Sequence, residues 1–228
     1  MAAFLRGLDS ETFDMVFATG DLLGDPHSVD EVVALLNGLS GTYGRFFVLG
    51  SADHYAPEFK NYLDYFRGKR KLGTRRNPTG RFTHSLVSSG WTDLTNTGLL
   101  VEIRGMTIQI TGLDDPYMGR DDRSLLRRDP EADLSILVVH DPAPYRDAGE
   151  AGYDLVVSGH THGGQVRMPV IGALVTNSEL PRQRAKWQSS LAGGGTLFVS
   201  PGLGTGRYAP FRFLSRPEAS ILVLNEKP

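Results

Sequence analysis

The chain has 228 residues, 40% of them hydrophobic and 22% charged, enough for one sizeable core and ordinary for a globular domain. A formal charge of -2 with a pI near 6.3 gives no general electrostatic pull toward nucleic acid or an anionic membrane, so any anion must be held by a local site. The absence of cysteine excludes disulfides, thiolate metal ligands and cysteine nucleophiles, leaving His, Asp, Glu and Asn to hold any metal.

In chain order, MAAFLRGLDSETF at 1–13 reads as an amphipathic helix start carried by Phe4, Leu5 and Leu8. It shows no signal-peptide pattern, and no apolar run is long enough to cross a membrane, so the chain as given is expected to be soluble and cytoplasmic. Apolar runs between turn signals follow: DMVFATG at 14–20, RFFVLG at 45–50, LLVEI at 99–103, MTIQITG at 106–112, DLSILVVH at 133–140, YDLVVSGH at 153–160, GTLFVS at 195–200 and ASILVL at 219–224. These read as strands, several of them apolar at consecutive positions and hence covered on both faces. Between the first two, SVDEVVALLNGLS places Val29, Val32, Val33, Leu35, Leu36 and Leu39 at helical spacing, with Ser28 and Glu31 as a capping box. Pro142 to Ala148 reads as a shorter crossover. The basic stretch at 68–81, rich in Gly and Pro, reads as a surface loop. One layered α/β domain over 1–228 is expected.

Four of the six histidines and several aspartates fall at or just past strand ends: Asp21, Asp53, His54, His140, His160 and His162. In a largely parallel sheet those ends open on one edge, where distant residues converge on a metal. The sharpest signal is GHTHGGQ at 159–165, in which a glycine-flanked loop lets both histidines turn toward one ion or two adjacent ions. A metallo-β-lactamase pattern, HxHxDH, is excluded because Gly163 and Gly164 follow His162. Taken singly, Asp21 also reads as turn chemistry and His140 as a satisfied histidine at a helix start; the combination is what points to a site.

The order GD at 20–21, GSAD at 50–53, His140 and GHTH at 159–162 resembles the calcineurin-like metallophosphoesterases. The likeness extends through ALVTN at 173–177 and SPGLGTGRYAPFRF at 200–213 to the bacterial branch of the YkuE and YaeI type. It implies a four-layer α/β/β/α sandwich holding two cations, Mn, Fe or Zn, with a metal-bound hydroxide attacking a phosphomonoester, phosphodiester or pyrophosphate bond. By position Asp21 is the implied bridging carboxylate, His140 and His160 complete one cation's shell, and His162 binds the other.

Two departures qualify that implication. Nothing before Asp21 fits the family's opening Asp-x-His motif, so the first central strand is expected to be missing and the chain to be the continuation of a longer protein, whose preceding segment would be the route to any membrane. The family's Gly-Asn-His-Asp/Glu motif is replaced by GSADHY, placing Ser51 at the metal-ligand position, Ala52 where a proton-donating His is expected, Asp53 at the acid position and His54 one residue late. One cation, or none, is then expected as an alternative to two. The expected activity is phosphate-ester hydrolysis; the alternative is a non-catalytic relative serving as a binding or scaffold module.

Overall fold

The computed structural model describes residues 5, 7–8, 11–58, 72–174, 176, 178–206, 208 and 210–225. Most of the expected N-terminal helix, positions 68–71 of the basic stretch, and Val175 and Asn177 lie outside these residues. The end of that expected helix is strand instead: Thr12 opens β1 (Thr12–Thr19), which pairs in parallel with β2 (Ser40–Val48), with a register shift between Phe13 and Met15. Parallel neighbours require a crossover. It is α1 (Val29–Leu36), which buries Val29, Val33 and Leu36. Ser28 does not form the expected capping box; its hydroxyl donates to the Asp25 carbonyl at 2.7 Å, because its backbone (φ -96°, ψ 11°) is not extended as a cap requires.

A four-residue helix, α2 (Ser51–His54), follows β2. Next comes α3 (Thr79–Ser88), which occupies the end of the expected surface loop and packs against α1. Its apolar stripe is only Phe82 and Leu86, too thin to register as periodicity, yet both are fully buried. β3 (Thr92–Asp93) completes a three-stranded sheet in the order β1-β2-β3.

The second sheet holds β4 (Thr97–Ile103), β5 (Met106–Gly112), β6 (Leu134–Val139), β7 (Leu155–Ser158), β10 (Trp187–Ser190) and β11 (Thr196–Val199), in the order β10-β11-β7-β6-β5-β4. Its four central strands are parallel and both edges antiparallel. The β6 to β7 crossover is α4 (Tyr145–Glu150). A two-stranded ribbon, β8 (Arg167–Met168) with β9 (Gly172–Ala173), projects beyond β7. The strand expected at 219–224 does not form: Ile221 to Leu224 are exposed and meet no sheet edge among the described residues.

Alternation along the strands builds the layers. Phe46 and Val48 face one core with Ile136 and Val138 from the second sheet, while Phe47 and Leu49 face the opposite way, onto a second core with α1 and α3. Leu137 and Val139 face a third core with Tyr145 and Ala148 of α4. Helices, sheet, sheet and helix therefore stack as an α/β/β/α sandwich. β1 is the edge of its sheet among the described residues.

Candidate metal centre

β1 ends at Thr19, and the chain turns sharply through Gly20 (φ 87°) into Asp21, itself in the left-handed region (φ 53°). A Cβ on Gly20 would stand 2.8 Å from the Gly50 amide nitrogen and 2.9 Å from His140 Nδ1, so only glycine lets the tips of β1, β2 and β6 close together. The Ala52 N–H donates to Asp21 Oδ1 at 2.7 Å, leaving Oδ2 at 3.2 Å from His140 Nε2. His140 Nδ1 lies 2.7 Å from the Thr19 carbonyl, which can only accept, so that nitrogen carries a proton and Nε2 faces Asp21. His160, just past β7 with φ 65°, sets Nδ1 at 3.2 Å from His140 Nε2. Ligating atoms of Asp21, His140 and His160 all lie within 4.8 Å of one another.

The convergence differs from the expected arrangement in one respect: the donors come from two sheets rather than one. Asp21 stands at the tip of the three-stranded sheet, His140 and His160 at the tips of the six-stranded one. The sheets come close enough there that a Cβ on Gly159 would lie 3.0 Å from Thr19 Oγ1.

The other sequence-predicted residues surround this group. Asp53 is fully buried; Oδ1 accepts from the N–H groups of Leu22 (2.8 Å) and Leu23 (2.7 Å), and Oδ2 from Gly50 (2.8 Å). Its carboxylate thus clamps the loop after β1 to the loop after β2. Ser51 opens α2, and its carbonyl accepts from the Tyr55 N–H. His54 Nε2 lies 3.1 Å from Asp114 Oδ1, while Asp114 Oδ2 receives Arg120 Nε at 2.6 Å. His162 is in a 3-10 turn (φ 50°) with Nδ1 3.1 Å from Gln165 Oε1, and falls outside the three-residue group.

Two further carboxylates, not singled out from the sequence, border the histidines. Asp115 and Asp141 are both fully buried, and each has one oxygen, Oδ2, with no hydrogen-bond partner. Asp141 Oδ2 is 3.7 Å from His160 Nε2, and Asp141 Oδ1 accepts from the Ala143 N–H and the Ser178 hydroxyl. Asp115 interacts electrostatically with His140, Asp21 and His160. Both follow strand tips, after β5 and β6, by the same rule that singled out Asp21 and His140.

The charges couple strongly. Burial opposes a charge on His140, but the adjacent Asp21 carboxylate lifts its pKa from 6.5 to about 10. Burial likewise works against Asp21, yet the His140 imidazolium holds it well below the usual carboxylate range. Burial and the Asp21 charge push Asp53 up to about 6, and burial pushes Asp115 up to about 6, so both are ionised at neutral pH. Burial lowers the pKa of His162, which is neutral there.

Two imidazoles and a carboxylate suit a borderline divalent cation such as Zn, Mn or Fe, with remaining positions open to water or substrate. The orphaned Oδ2 atoms of Asp115 and Asp141 support that fit, because a buried carboxylate oxygen with no hydrogen-bond donor leaves negative charge that a cation can balance.

The sequence pattern of calcineurin-like phosphoesterases matches residues 1–164. The metallophosphoesterase YkuE of Bacillus subtilis is 30% identical over 92% of this chain and 68% of its own length. The phosphodiesterase YaeI of Escherichia coli is 27% identical over 78% of this chain and 62% of its own. The likeness is not confined to bacteria: a bovine transmembrane protein with a metallophosphoesterase domain is 27% identical over 100% of this chain and 49% of its own. Among solved structures, NAD nucleotidase (NadN) of Haemophilus influenzae aligns over 91% of this chain and 39% of its own at 15% identity, with a TM-score of 0.48. The pattern match over residues 1–164, on a sandwich whose strand tips gather Asp21, His140 and His160, means that the chain belongs to the calcineurin-like phosphoesterase family.

Proposed function

We propose that this chain, as one domain, is a metal-dependent phosphoesterase acting on a phosphate ester, with Asp21, His140 and His160 holding a divalent cation. The observation that carries the reading is the convergence of their ligating atoms within 4.8 Å at the shared tip of two sheets. When bound, such a cation polarises a phosphoryl oxygen and neutralises its charge.

The remaining roles fall to the chain's own groups. Thr19 and Ala52 orient His140 and Asp21 through backbone hydrogen bonds, so both ligands are set before a cation arrives. Asp53 holds the two loops that carry Asp21 and α2. His54, backed by Asp114, is the proton donor to the leaving oxygen in place of the side chain that Ala52 lacks. Ser51 and His162 are the candidates to extend the ligand set toward a second cation, His162 because it is neutral and feels the charge of Asp21.

Ala52 favours a second reading, a binding module that keeps one cation without turnover. Metal content after dialysis against manganese, measured together with hydrolysis of bis(p-nitrophenyl) phosphate, separates the two. Turnover lost in His160→Ala supports the enzyme. A bound cation with no turnover in the parent chain supports the module, and no bound cation at pH 8 overturns both.

A further inference from the structure

We propose that Gln165 is a positioning residue whose side-chain amide holds the His162 imidazole in the one tautomer that leaves Nε2 free to ligate a cation. The inference rests on the reading of His162 as a candidate ligand for a second cation, and adds to it the residue that prepares that ligand.

The chain of hydrogen bonds starts at Phe211. Gln165 Nε2 donates to the Phe211 carbonyl at 2.9 Å, and because a carbonyl oxygen only accepts, that contact fixes which end of the amide is the NH2 group. Oε1 is then the end turned to His162, 3.1 Å from Nδ1, and it too only accepts. His162 Nδ1 therefore carries the ring proton, and Nε2 of the neutral ring keeps its lone pair. A neutral histidine in water prefers the opposite arrangement, with the proton on Nε2. Without Gln165 the proton would sit on the atom that a cation needs, in a ring that interacts electrostatically with Asp21 and His160.

The backbone at Gln165 points the same way. It is held at φ 37° and ψ -49°, outside the regions that residues with a side chain favour, and such strain persists only where the surroundings enforce it. Two bonds enforce it here: the Gln165 N–H donates to the His162 carbonyl at 3.1 Å, and the Gln165 carbonyl accepts from the Phe213 N–H at 2.9 Å. Glycine would close this turn at lower cost, so the turn alone gives no reason for a glutamine.

The segment that orients the amide also fixes the histidine's main chain. The His162 carbonyl accepts from Arg212 Nη1 at 3.1 Å and from the Ser215 hydroxyl at 2.9 Å. Arg212 Nη2 donates in turn to the carbonyls of Pro201 (2.8 Å) and Gly202 (3.0 Å), tying the histidine loop to the turn after β11. The fit is close: a Cβ on Gly163 would stand 2.6 Å from Ser215 Oγ. Residues 211–215 thus hold the backbone of His162 directly and its ring through Gln165, as ligating histidines are commonly held through their second nitrogen.

Long-range proton–nitrogen correlation spectra of the metal-free chain, labelled at histidine and recorded at pH 8, read the tautomer directly, with the His162 signal assigned by its loss in His162→Ala. The parent is expected to carry the proton on Nδ1. In Gln165→Leu it should move to Nε2, whereas Gln165→Glu, whose carboxylate also accepts from Nδ1, should keep it in place. A residue that merely closed the turn would not give that pattern. Manganese titration should show the affinity for the second cation falling by on the order of ten- to a hundredfold in Gln165→Leu. A parent with the proton on Nε2, or a Gln165→Leu variant that keeps it on Nδ1, overturns the proposal; the parent spectrum decides this whatever the variant's stability. Affinity lowered in His162→Ala but unchanged in Gln165→Leu also overturns it and leaves the reading of His162 intact. Affinity unchanged in both overturns that reading, and with it the role of Gln165.

Discussion

At the scale of single residues, the site is a balance of buried charge. His140 reaches a pKa of about 10 because it pairs with Asp21, which means that in the metal-free protein the pair is an ion pair at neutral pH. The folded-state pKa of His140 is raised above its unfolded value, so its stabilisation is fully present below pH 6.5 and is lost as pH rises toward 10. Metal-free protein should therefore show a falling melting temperature across that window, and His140→Gln should flatten the slope. Cation binding must displace the same proton, so manganese affinity measured by calorimetry should rise about tenfold per pH unit between pH 7 and 9. Asp141 enters at this scale too. With Oδ2 at 3.7 Å from His160 Nε2, it is placed to hold that ring so that Nδ1 faces the cation. Asp141→Asn should weaken metal binding roughly ten- to a hundredfold. Unchanged affinity would reduce Asp141 to a cap on the turn at Ala143.

At the scale of elements, the loops beyond the strands carry the strain and the clamps. Asp21, His160 and His162 all hold positive φ, a conformation that persists only where surrounding structure enforces it. Asp53 is part of that enforcement. Asp53→Ala would strand the N–H groups of Leu22, Leu23 and Gly50, and should cost about 3 kcal/mol or more in urea unfolding, with Asp53→Asn costing less. Gly50→Ala acts differently, since the new Cβ would run into Asp21 Oδ1 and stand 2.7 Å from His140 Cδ2. The expected result is a folded chain, by circular dichroism, whose metal affinity is largely gone. Most elements were readable because their apolar runs are long and bounded by turn residues, as for β2 and β6. α3 was not, because two buried side chains do not make a period. The run at 219–224 misled for the opposite reason: β-propensity reports suitability for a sheet and says nothing of whether an edge is there to receive it.

At the scale of the whole molecule, the proposed cation site joins the two sheets, with Asp21 from one and His140 and His160 from the other, so binding should stabilise the sandwich as a unit. Manganese at a hundredfold excess over its dissociation constant should add about 2.7 kcal/mol of stability, seen as a higher melting temperature. The rise should vanish in His140→Ala and His160→Ala. The strands β1, β2, β4, β5, β6, β7 and β11, the helical crossover after β1 and the residue types at the tips followed from the sequence, because alternation, turn chemistry and ligand type are local properties, whereas β3, β8, β9 and β10 offered no apolar run to read. The candidate ligands Asp21, His140 and His160 share one local signature legible in the sequence, a polar residue just past an apolar strand. Asp115 and Asp141 carry the same signature, but what distinguishes them, an orphaned oxygen beside two imidazoles, exists only after the sheets have packed. Tertiary structure alone decided that the candidate ligands come from two sheets and that Asp53 turns to backbone amides, since each depends on which distant surfaces meet and which do not.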